Sequence, residues 1–189
     1  MKTHFITALR LTALLLILLS GLYTLLVWGA AQFAPGGGKG RMITANGRSY
    51  FEQVGQSFRS PAYFNSRPSA VNYNAAGSGG SNKAPFDSAY LSVMQARIDT
   101  FRKYNPGQPL QEVPAELLSA SGSGLDPHIS VQAARVQVKR ISRYRNIPEI
   151  RLQQLVTEHT EGPLLGILGP EKVHVLHLNL ALDALTAKK

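Results

Sequence analysis

Cysteine is absent from the 189 residues. Disulfides and thiolate metal sites are therefore excluded, and redox usage says nothing of the compartment. Acidic residues are scarce: eleven Asp and Glu face twenty Lys and Arg, a formal net charge of +9. Such a surface favours an acidic protein face, lipid headgroups or nucleic acid, and it equally serves solubility. Catalytic signatures are missing as well. Neither Gly/Ser stretch, 75–82 or 119–124, is followed by Gly-Lys-Ser or Gly-Lys-Thr, so the chain has no phosphate-binding loop of that kind. No Gly-x-Ser-x-Gly elbow surrounds Ser121 or Ser123, and Asp126 and His128 lie too near in sequence to face Ser123 as a triad. No internal repeat is present.

Charge is also missing from one long run, Leu11 to Ala34, bounded by Arg10 and Lys39. As a helix it would reach about 36 Å against about 30 Å of hydrocarbon, enough to cross a bilayer with some tilt. Leu11, Leu15, Leu18, Leu22 and Leu26 supply the apolar surface, and Trp28 lies toward the far end, where amphipathic rings favour the interface. The rival reading is a cleaved signal peptide, with Lys2 and Arg10 as its positive end and Gly29-Ala30-Ala31 as its cleavage site. A signal core runs only about 7–15 residues, so the length favours a retained anchor. The expected plan is a tail (1–10), a transmembrane helix (11–34), a Gly-rich linker (35–47) and one α+β domain (48–189). Flanking charges show little bias. A ten-residue tail is the simpler piece to leave in the cytoplasm, which puts the domain outside.

Within the domain, Tyr50 to Phe58 reads as extended and the prolines at 61 and 68 as ordered loop. Asp87 is a candidate N-cap for a helix burying Leu91, Met94, Ile98 and Phe101. Ser130 caps a second helix to about Tyr144, with Val131, Ala134, Val138 and Ile141 inward and Arg135, Lys139, Arg140 and Arg143 on a basic face. A third, Glu149 to His159, turns Leu152, Leu155 and Val156 inward. Lys172 to Leu178 alternates like a strand, and Asn179 to Ala187 returns to helix. Few and interspersed elements make a small α+β domain. On that strand His174 and His177 point to opposite faces and cannot share an ion, so no metal site is expected. The two consecutive helices around Asn146 could pass for a nucleic-acid reader, but a membrane tether argues against one.

Several blocks occur in a specific order: Gly55-Gln56-Ser57-Phe58, Arg67-Pro68-Ser69-Ala70, Gly79-Gly80-Ser81-Asn82 and Ser121-Gly122-Ser123-Gly124-Leu125-Asp126-Pro127-His128-Ile129. Ala133-Ala134 with Gln137 and Arg140, then Leu155-Val156 with Thr160-Glu161, then Leu178-Asn179-Leu180-Ala181-Leu182-Asp183 follow. Over nearly its whole length the chain resembles the C subunit of the Kdp potassium-transporting P-type ATPase. The resemblance implies a subunit without catalytic residues of its own, in the bacterial inner (plasma) membrane. It implies a channel-like potassium-binding subunit, an ATP-hydrolysing P-type subunit and a small additional membrane subunit as partners, with the lipid bilayer and without nucleic acid. It implies no cofactor bound by the chain itself: ATP belongs to the pump subunit, and potassium is carried by the complex. The implied role is to support assembly and to raise the pump subunit's ATP affinity as a catalytic chaperone. Arg67, Asn82, Ser121, Ser123, Asp126 and His128 are the candidate docking residues, although Asp126 and the glycines could equally serve only to shape the loop. The alternative is a tethered regulator contacting ATP directly through the Gly/Ser loops.

Overall fold

The computed structural model describes residues 2–45 and 47–187. They form two compact units, one up to Phe51 and one from Glu52 onward. In the first, Lys2–Leu15 (α1), a π-helical stretch Leu16–Tyr23 and Thr24–Ala31 (α2) follow one another without leaving helical backbone. The segment His4–Ala31 is long and apolar enough to cross a membrane, and none of its most apolar stretch is buried. Leu and Ile surround this helix on every side. Such a surface is costly in water and cheap in hydrocarbon, as the charge-free run predicts. Met42–Ala45 (β1) and Arg48–Phe51 (β2) then pair antiparallel.

The second unit begins with a long loop to Asp87, followed by the helix Ser88–Tyr104 (α3). Asp87 is the N-cap: its carboxylate accepts from the amides of Ala89 (2.9 Å) and Tyr90 (3.2 Å). His128–Ile129 (β3), Thr160–Glu161 (β4) and Lys172–His174 (β5) make a three-stranded antiparallel sheet in the order β3-β5-β4. The helices are Val131–Arg135 (α4), Val138–Arg145 (α5), Glu149–Glu158 (α6) and Val175–Ala187 (α7); α4 and α7 lie against β5, and α6 packs on α4, α5 and α7. Ile129, Ala133, Val138, Ile141, Leu152, Val156, Val173, Leu178 and Leu182 form the core, and Phe64 from the long loop is fully buried with them. The domain is α+β, as expected.

Four local expectations are corrected. Strand β2 stops at Phe51, and the chain to Phe58 is irregular. The apolar stripe of α3 is not buried: Met94, Ile98 and Phe101 are half-covered and Leu91 stands exposed. The helix from Ser130 is broken between Arg135 and Val138. There the Gln137 amide bonds back to Ala134 O, and its side-chain amide takes the Ala133 carbonyl that a regular turn would have used. Strand β5 ends at His174, and α7 starts at once. Val175, Leu178, Asn179 and Leu182 are buried at helical spacing, and that pattern overrides the short alternation before it.

Candidate functional site

Four loop segments that are distant in sequence meet backbone to backbone. The Gly79 amide donates to Ser123 O (2.8 Å), and the Ser121 amide donates to Pro68 O (3.2 Å). The Gly55 amide reaches Leu125 O at 2.7 Å. A Cβ on Gly55 would lie 2.6 Å from Asp126 O, so only glycine permits this approach. Gly124 has φ +68, and a Cβ there would meet Gly79 O and the Val71 side chain at 2.8 Å. These glycines therefore build a junction between loops rather than slack in them.

The junction positions a small charged cluster. Arg67 Nη1 donates to Asp126 Oδ2 at 3.0 Å, with both side chains roughly a quarter exposed. The other carboxylate oxygen, Asp126 Oδ1, accepts the His128 amide at 2.9 Å and closes a turn over Pro127. His128 Nδ1 stands 3.7 Å from the same oxygen, and His128 Nε2 stands 3.8 Å from Glu161 on β4. The His128 side chain is the largest influence on Asp126. With the His128 amide and the Arg67 guanidinium, it outweighs burial and holds the carboxyl at about 2. Arg67 is held from behind, its carbonyl accepting from the Tyr73 hydroxyl at 2.6 Å. Its Nε is buried without a partner among the described residues.

The structure thus brings Arg67, Asp126 and His128 together. Ser121 is buried, its amide tied to Pro68 O. Ser123 caps its own turn, its hydroxyl accepting the Leu125 amide at 3.1 Å. Asn82 follows the Gly80 approach to Gly122 O, but it is exposed, with φ 49 and no described bond to the other five.

His174 and His177 do not point apart. Because β5 yields to α7 between them, their rings stack at 4.1 Å, and His128 meets His174 edge-on at 5.0 Å. His174 is buried, and its Nε2 lies 2.7 Å from Glu52 O, which makes that nitrogen the donor. Burial, then the neighbouring His177, keep it below the ordinary imidazole value, against a raising effect of the Glu52 carbonyl. His177 Nε2 stands 3.2 Å from the Glu52 carboxylate. Among the described residues, no group of three His, Cys, Asp or Glu side chains has the geometry to hold a metal ion.

A buried polar clamp escaped the sequence reading of the helices. Arg140 is not on a basic face. It is 3% exposed and donates to Tyr63 O and to Gln137 Oε1. Gln137 accepts the Asn65 amide at 2.8 Å, while Asn179 both accepts from Phe64 N and donates to Phe64 O at 2.9 Å. Arg145 stacks on the Tyr63 ring at 4.4 Å and pairs with Asp183 at 2.8 Å. Two carboxamides and two guanidiniums therefore hold residues 62–65, one residue short of Arg67. The signal was present in the spacing: Ala133, Gln137 and Arg140 lie on one helical face with buried neighbours.

Comparison with known proteins agrees with this architecture. The family model described as "KdpC: K+-transporting ATPase, c chain" matches residues 5–184. A protein of Flavobacterium johnsoniae named Potassium-transporting ATPase KdpC subunit is 45% identical over 186 residues, covering 98% of this chain and 100% of that one. Its namesake in Flavobacterium psychrophilum is 46% identical over 186 residues, with the same coverage. A third, in Polaromonas naphthalenivorans, is 45% identical over 190 residues, covering 98% of this chain and 96% of its own. With its apolar N-terminal helix and its small α+β domain, the chain belongs to the KdpC family of potassium-transporting ATPase subunits.

Proposed function

We propose that the chain is a non-catalytic accessory subunit that docks on the channel-like subunit through the Arg67–Asp126–His128 cluster. From that position it stabilises the complex and assists the ATP-hydrolysing subunit, raising its ATP affinity through the membrane parts. The domain lies on the extracytoplasmic side in this reading, with the short tail in the cytoplasm and the span in the inner membrane. One observation carries it: four separate sequence blocks, three of them through glycines, are tied backbone to backbone and present one partly exposed ion pair. Partly exposed charge on a rigid junction is suited to recognition.

The direct nucleotide-binding alternative has less support. A phosphate cradle needs free backbone amides. Those of Gly79, Ser121 and Gly124 already donate to Ser123, Pro68 and Ser121 carbonyls.

The test is charge reversal. Arg67→Glu is expected to weaken recovery of the complex at least about tenfold and to lower its potassium affinity. The double swap Arg67→Glu with Asp126→Arg restores an internal pair. It should recover part of the melting temperature lost in Arg67→Glu, less the turn bond of Asp126 Oδ1 to the His128 amide, but not assembly. Rescue of both would make the pair structural only. Proteolysis of sealed vesicles from each side reports the sidedness: cleavage only from the cytoplasmic face would end the extracytoplasmic reading.

A further inference from the structure

The connection between β4 and β5 is built against its own solubility. From Gly162 to Pro170 it carries no charge. Leu164, Leu165, Ile167 and Leu168 are 68%, 82%, 81% and 56% exposed. The tip is nonetheless ordered, because Leu164 and Leu168 exchange both backbone bonds at 2.8 and 2.9 Å. Leu165 sits at φ 55, a left-handed conformation that suits Asn, Asp or Gly and strains a leucine. A residue that is both strained and almost fully exposed is not there for the fold. Four exposed aliphatic side chains gathered on one short uncharged tip mark a contact.

The surroundings say what kind of contact. A lipid-inserting tip would carry interfacial aromatics or a cationic rim. This one has neither: Glu161 and Glu171 flank it, and Lys172 at its base is paired with Glu161 at 3.5 Å. A second copy is also poorly suited. Four aliphatic side chains fall far short of the roughly 800 Å² per partner that a stable dimer buries. As one part of a larger interface they suffice. Glu161, which closes β4 before the tip, stands 3.8 Å from His128, so the tip continues the cluster placed at the docking face.

We propose that Leu164–Leu168 is an apolar plug that seats in an uncharged hydrophobic socket on the channel-like membrane subunit. The charged cluster sets the register, and the plug supplies the desolvated anchor around which such interfaces concentrate their energy. This inference rests on the docking reading above.

The experiment uses the full chain in its assembled complex. A photo-crosslinking amino acid at position 165 should capture the channel-like subunit in native membranes. Leu165→Asp with Ile167→Asp should cut co-purification of the other subunits at least about tenfold. Leu165→Asn separates docking from folding. Asn accepts φ 55, so the melting temperature should hold or rise while co-purification still falls several-fold. Crosslinks only to lipid, only to a second copy or to nothing would overturn the plug, as would full co-purification of the double variant. Arg67→Glu, run in parallel, keeps the two ideas apart. If it leaves assembly intact while the tip variants break it, the charged cluster fails and the plug stands. The reverse pattern removes the plug alone.

Discussion

Asp126 uses its two oxygens for different purposes, and that division sets a pH dependence. Oδ1 closes the turn onto the His128 amide, and Oδ2 receives Arg67. The carboxyl titrates at about 2 in the folded chain against an ordinary value of 3.8. A depressed folded pKa means that the unfolded state takes up protons first as the pH drops. The stabilisation is therefore complete above about pH 4 and disappears as the pH falls toward about 2. Since the side chain is 30% exposed, solvent screening keeps the charge contribution to about 1 kcal/mol. Asp126→Asn keeps an acceptor for the His128 amide and loses the charge. Its melting temperature should lie below that of the parent at pH 6, and the two should converge between about pH 4 and pH 2. A gap that stayed constant over that range would show the charge to be irrelevant to stability.

At the scale of elements, α7 acts as a clamp as well as a core helix. Asn179 pairs with both backbone groups of Phe64, in the manner of a strand neighbour, and that fixes the loop from which Arg67 projects. Asn179→Ala would leave a buried N–H and a buried carbonyl unpaired, at a cost of about 3 kcal/mol. Denaturant titration of the chain in detergent should show the loss as a lower midpoint. An unchanged midpoint would mean that water replaces the amide without cost. The sequence made some of this legible and hid the rest for a definite reason. Short-range rules located the Asp87 and Ser130 caps, the α6 core positions and the charge-free helix, because each is a property of neighbouring residues. They misjudged α3, since an amphipathic stripe says which face is apolar and not whether anything covers it. They misjudged His174 and His177, since three residues of strand cannot be told from the start of a helix by alternation alone. Arg140 was assigned to solvent on its charge, although its spacing from Ala133 and Gln137 put it inside. Of the six candidate docking residues, the clustering of Arg67, Asp126 and His128 depends on glycine contacts between segments up to about seventy residues apart. Only tertiary structure displays those.

At the scale of the whole molecule, two quite different forces could hold this chain at a membrane, and they respond oppositely to salt. A net charge of +9 would attract the chain to anionic headgroups. That attraction is screened within about 3 Å at 1 M salt and would be lost there. Burial of the apolar helix has no such dependence. The helix His4–Ala31 is long and apolar enough to cross a membrane, and none of its most apolar stretch is buried. Leu16, Leu25 and Trp28 each leave more than 60% of their surface open. Removing that much aliphatic surface from water, at about 25 cal/mol per Å², far exceeds any screened surface charge. Membranes that carry this chain without the other subunits of the complex, washed in 1 M salt, should therefore retain the full chain and release a variant lacking residues 2–33. The truncated variant should still melt cooperatively, because the residues from Glu52 onward form their own compact unit around their own core. Release of the full chain by salt alone would show that charge, and not the helix, is what holds it there.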